Sequence, residues 1–75
     1  MKELLLYMAK NLVDDPDAGT VREIPGETTV LELRVAPADM GKVIGRQGRI
    51  AKEIRTIVKS VAQSDGQKVS VEIVD

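Results

Sequence analysis

Two glycines, Gly45 and Gly48, bracket Arg46 and Gln47, and Arg49 follows directly. Neither glycine has a Cβ, so the backbone can bend sharply there and another chain can come close. A helix opening after Gly48 would begin with amides that lack intrahelical partners, and its dipole would add positive potential at that end. Such a site attracts a phosphate. The amides near Gly48 and Arg49 are the expected donors, Arg46 and Arg49 add charge, and Gln47 can hydrogen-bond to phosphate or sugar. Lys42 and Lys52 flank the loop and extend the positive track, while Ile44 is the leading candidate for an apolar floor that supports bases by contact. The chemistry implied is a grip on a nucleic-acid backbone.

Composition supports a binding role. From residue 41 to residue 60 six basic side chains stand against one acidic, Glu53, although the whole 75-residue chain has a net charge of -1. A single basic segment in an otherwise acidic chain argues for a local anion site rather than promiscuous binding of long duplexes. The chain has neither cysteine nor histidine. Disulfides and thiolate or imidazole metal sites are therefore excluded, and the usual catalytic bases and nucleophiles are missing. No Gly-Lys-Ser/Thr follows at the spacing a nucleotide-phosphate loop needs. The expectation is no enzyme, no metal and no cofactor. The one aromatic is Tyr7, so the stacking platforms of many single-strand binders are absent and intrinsic affinity should be weak. Dimerisation or a second binding module would raise it through effective concentration.

The elements that must position the loop follow from periodicity. Residues 3 to 13 read as a helix with Leu4, Leu5, Met8 and Leu12 on one stripe, ended by Pro16 acting on Asp15. Asp14, Asp15 and Asp17 read as a solvated helix exit. Thr20 to Ile24 is a short strand, Pro25-Gly26 fits a type II turn, and Thr28 to Ala36 is a strand with Leu31, Leu33 and Val35 on one face. A helix from Pro37 to Ile44 has Asp39 at its positive end and Gly41 as a place for close packing. A longer helix runs from Arg49 to Ser64, with a stripe of Ile50, Ile54, Ile57 and Val61 flanked by Ala51, Val58 and Ala62. Arg55 and Lys59 read as its solvated face. Asp65-Gly66 stops it, and Lys68 to Val74 alternates as a last strand.

The order is helix, strand, strand, helix, helix, strand. A helical crossover joins the second and third strands, so these should be parallel with a right-handed connection. The fold class is α+β: one domain over residues 1–75, with a three-stranded mixed sheet and helices packed on one face. The apolar run between Glu3 and Lys10 is too short for a leader, and nothing reaches transmembrane length. Cytoplasmic, without membrane insertion, is the default expectation.

Gly-x-x-Gly alone is weak evidence, but here it follows Val43-Ile44, precedes Ile50 and Ile54, and sits between two helices. That arrangement resembles the KH domain, whose Gly-x-x-Gly loop clamps about four nucleotides. The element order is similar to the type II, or prokaryotic, KH arrangement. The stretch from Arg34 to Lys52 further resembles the KhpA family of small single-KH bacterial proteins, as do the opening helix ending Leu12-Val13-Asp14 and the hairpin. The resemblance implies binding of single-stranded RNA, with single-stranded DNA left open, and an RNA-chaperone role. It also implies a partnership with the larger KH protein KhpB and a part in cell elongation, cell shape and cell-wall homeostasis. Recognition of base edges by main-chain groups of the last strand is a further implication. Monomer, homodimer and heterodimer all remain open. The rival reading is a protein-interaction module whose loop and apolar groove dock a protein partner.

Overall fold

Pro16, Pro25-Gly26, Pro37, Gly45 and Gly66 all fall between regular elements, where proline cannot donate and glycine can turn. The computed structural model describes residues 1–74. Its elements are α1 (Lys2–Lys10), β1 (Thr20–Ile24), β2 (Thr29–Arg34), α2 (Met40–Ile44), α3 (Arg49–Ser64) and β3 (Val69–Val74). Short 3-10 turns at Pro16–Ala18, Pro37–Asp39 and Arg46–Gly48 link them.

The sheet has the order β1-β2-β3. β1 runs antiparallel to β2, with Val21 opposite Leu33, and β3 runs parallel to β2, with Val71 opposite Leu31. The alternation sends Val21, Leu31, Leu33, Val69 and Val71 to one face, where they are buried against Leu5 and Ala9 of α1, Val43 of α2 and Ile54 and Val58 of α3. The expected α+β arrangement, a mixed three-stranded sheet with helices on one face, is the observed one.

Two local expectations are corrected. Gly26 does not take the positive φ that a type II turn requires; among the glycines only Gly45, Gly48 and Gly66 do. Four residues rather than the expected three separate β1 from β2, and a loop of that length can reverse the chain without a left-handed residue. Gly41 is not a close-packing site either, since a Cβ built there meets nothing within 4 Å. The end of α3 matches its sequence. Gly66 takes φ 72°, its amide donates to Gln63 and that of Gln67 donates to Ala62, the paired bonds of a Schellman cap.

The buried face of α3 is rotated from the expected stripe. Ala51, Ile54, Val58 and Ala62 are buried, whereas Ile57 is 46% exposed and Val61 41%. Spacings of three, four and four residues keep those four on one side of a 3.6-residue helix. The two alanines let α3 lie close over the sheet, which turns the larger Ile57 and Val61 outward.

Candidate nucleic-acid interface

α2 ends at Gly45, whose φ of 77° and ψ of 173° lie in a region that is essentially reserved for glycine. A Cβ there would stand 2.6 Å from Ile50 Cγ1 and 2.9 Å from Ile50 Cβ, far inside contact distance. Gly45 is thus required twice, by its backbone and by the isoleucine that pins the start of α3 to the core. Gly48 differs. Its φ of 73° is left-handed, but a Cβ would meet nothing within 4 Å. Between them Gln47 also takes a left-handed conformation, at φ 57° and ψ 25°. The result is a single tight turn that ends α2, projects Arg46 and Gln47 into solvent and delivers the chain directly into α3.

The two amides expected to hold a phosphate are partly committed. The Gly48 amide donates to Gly45 O at 3.2 Å, and the Arg49 amide donates to Arg46 O within the turn. Attraction for an anion at this loop must therefore come mainly from exposed Arg46, Arg49 and Lys52, and from the dipole of the 16-residue α3. No acidic residue occupies the first turn of α3 to oppose it. Ile44 lies next to this turn and is 37% exposed, so part of its side chain is open to a ligand beside the loop. Val43 beside it is fully buried and belongs to the core.

Lys42 is placed differently from the expected flank of the track. Its Nζ is ion-paired with Asp14 and lies 3.6 Å from Asp39 Oδ1. Asp39, only 3% exposed, accepts from the amides of Asp14 (3.3 Å) and Asp15 (3.1 Å). This carboxylate does not cap its own helix; it ties the exit of α1 to the entry of α2, just ahead of the glycine turn. Burial alone would raise the Asp39 pKa, but the two amides and the Lys42 charge outweigh it and hold it below the usual value. The hydrogen bond to Asp14, with the two carboxylate charges, lifts Lys42 above its ordinary value against desolvation. The supposedly solvated acidic exit is therefore part of a structural tie.

Sequence reasoning also missed how the sides of α3 divide. Arg55 Nε donates to the main-chain oxygen of Val71 in β3 at 3.2 Å. Lys52 and Lys59 lie one turn either side of it, and Lys59 lines a hollow shared with Lys68 and Ser70. The opposite side is apolar: Ile50 and Ile57 share a surface groove with Tyr7 of α1 and Leu12 just beyond its end. The signal was present, since seven apolar residues in α3 are more than one buried face can absorb.

Comparison with known proteins now decides the family. The family model described as KhpA/KhpB, KH domain matches residues 2–73. The chain belongs to the KhpA/KhpB family of KH domains. It is 57% identical over 75 residues to the RNA-binding protein KhpA of Clostridium acetobutylicum, covering 99% of this chain and 100% of that one. To the RNA-binding protein KhpA of Chlamydia trachomatis it is 50% identical, covering 100% of this chain and 97% of that one. Among solved structures it resembles Aquifex aeolicus Era, with a TM-score of 0.61 at 21% identity. It also resembles Era in complex with MgGDPNP and a segment of 16S ribosomal RNA, with a TM-score of 0.55 at 22% identity. Both cover 96% of this chain but only 28% of the Era chain, so the likeness is one of fold. The family is one of KH binding domains, not of enzymes.

Proposed function

We propose that this KH domain binds single-stranded RNA by clamping its phosphate backbone at the Gly45–Gly48 turn. The observation that carries the reading is the turn itself: Gly48 leaves its backbone open to close approach while Arg46 and Gln47 project beside the positive end of α3. Arg46, Gln47 and Arg49 contact phosphate or sugar, Lys52 continues the track, and Ile44 supports a base by apolar contact. Lys42 supports the site from beneath through Asp14 and Asp39 rather than by touching RNA. The family's RNA-binding members named above support the choice of RNA. The proposed setting, carried by family resemblance, is cytoplasmic RNA-chaperone work beside a KhpB-like KH protein, bearing on cell shape and cell-wall homeostasis.

The test is fluorescence anisotropy with single-stranded RNA, single-stranded DNA and duplex, on the wild type and on Arg46→Asp/Gln47→Asp. Aspartate tolerates a left-handed backbone better than most residues, so the second substitution places charge without opposing the turn. The double variant should lose single-strand binding while keeping its melting temperature. Equal binding by the variant, or no wild-type binding above duplex, rejects the clamp.

A protein-docking role has its own support, on a different surface. Tyr7 (69% exposed), Leu12, Ile57 and Val61 form an apolar flank beside α1 and α3. A second copy or a KhpB-like KH protein would cover it, leaving the basic flank for RNA and raising a weak single-module affinity. Ile57→Asp should then weaken association in sedimentation or pull-down with that partner without unfolding the domain.

A further inference from the structure

The hollow at the far end of α3 is lined by Lys59 and Gln63 of that helix, by Gln67 and Lys68 of the connection to β3, by Ser70 of β3 and by Thr28 just before β2. None of its lining residues is a carboxylate. Lys59 and Lys68 are both exposed, and among the described residues neither has an ion pair. Two like charges therefore converge on one hollow from separate elements, with nothing anionic to offset them. The carboxamides of Gln63 and Gln67 and the hydroxyl of Ser70 add groups that can donate. The Thr29 amide donates to Lys68 O at 2.9 Å, so the alternation along this edge strand turns the Val69 amide outward, and Val69 also lines the hollow. Such a set of donors suits an anion with several oxygens.

The position of the hollow narrows the choice of anion. α3 passes into β3 through a connection of only four residues, 65 to 68, which closes the flank between the two elements at this end. At its other end the same flank opens on the glycine turn. The helix rises about 1.5 Å per residue, so Lys59 stands roughly 16 Å along it from Gly48. Four nucleotides, the length a KH loop clamps, cover about 14 Å when stacked at 3.4 Å each and more when extended. A strand held at the turn and laid along α3 thus meets the closed end after about that length. An internal phosphodiester carries one negative charge, whereas a terminal phosphate monoester carries about −1.5 to −2 and presents three strong acceptor oxygens. The monoester is the better match for two lysines in a closed end.

We propose that this hollow receives a phosphate monoester, the end phosphate of the strand gripped at the glycine turn. The inference rests on the RNA-binding reading above and adds recognition of a strand end to a backbone clamp.

The experiment uses uridine hexamers with a phosphate at the 5′ end, at the 3′ end or at neither, competing with a labelled uridine strand. The proteins are wild type, Lys59→Ala/Lys68→Ala and, as a control for charge alone, Lys2→Ala/Lys10→Ala. On the wild type one of the two end phosphates should tighten binding about five-fold, as two exposed lysine contacts allow, and which end does so gives the direction of the strand. Lys59→Ala/Lys68→Ala should lose that gain while keeping its melting temperature and most of its affinity for the hydroxyl-ended strand. Lys2→Ala/Lys10→Ala should keep the gain. Wild-type binding that gains from neither phosphate or from both alike overturns the inference and leaves the clamp standing. A gain that survives without Lys59 and Lys68, or that the control variant loses equally, does the same. Failure of every strand to bind the wild type overturns the RNA reading, and the inference with it.

Discussion

The two glycines of the turn look alike in sequence and should behave very differently when replaced by alanine. At Gly45 the added methyl meets two penalties. Its backbone lies where only glycine is at ease, at a cost of about 1–3 kcal/mol. Its Cβ would also stand 2.9 Å from Ile50 Cβ, an atom near the helix backbone that cannot swing aside. Overpacking of that kind adds about 1–3 kcal/mol. A total near 3 kcal/mol is a large share of the ~4–11 kcal/mol expected of 75 residues. In a domain this size it should lower Tm by about 12–24 °C. At Gly48 only the left-handed backbone is opposed, so the loss should be about 1–2 kcal/mol. Thermal and urea unfolding followed by circular dichroism would measure both. The part of the clash that comes from Ile50 Cγ1 and Cδ1 can be removed by making Gly45→Ala in an Ile50→Ala background, which keeps the Cβ contact, and the penalty should shrink by about 1 kcal/mol. Equal destabilisation by the two alanines, or additive effects of Gly45→Ala and Ile50→Ala, would refute the argument.

Other consequences concern the frame around the turn. Ile54→Ala should cost about 2–5 kcal/mol because the side chain is only 2% exposed, while Ile57→Ala should cost much less; comparable urea midpoints would contradict the rotated face of α3. Gly41→Ala should stabilise by about 0.4–1 kcal/mol, since the site is helical and open, and a lower Tm would show that the space is not free. The Asp39 tie predicts an acid-sensitive fold. Its folded pKa lies below the ordinary value of 3.8, so its stabilisation is present above that value and is lost as pH falls through the lowered one. Asp39→Asn should lower Tm at neutral pH and flatten the dependence of Tm on pH below about 4. Retention of the full acid slope would place its origin elsewhere.

The strands were legible because Leu31, Leu33, Val69 and Val71 alternate with polar neighbours, and period two survives any tertiary detail. The glycine turn was legible because its constraints are local. The buried face of α3 was not, since hydrophobicity ranks isoleucine above alanine whereas close approach to the sheet favours Ala51 and Ala62. Asp39 and its amide donors are 24 and 25 residues apart, so no local pattern betrays the tie or the diversion of Lys42 into it. Arg55 looked like one more solvated cation until the parallel register placed the outward oxygen of Val71 beside it.

The most direct measurement of the central claim is a two-dimensional amide NMR titration with single-stranded RNA. Shift changes should concentrate from Gly45 to Lys52 and along Arg55, Lys59 and the outer edge of β3. Tyr7, Leu12 and Val61, on the opposite flank, should hardly move at the same RNA concentration. Changes centred on that apolar flank, or none at the glycine turn, would contradict the account.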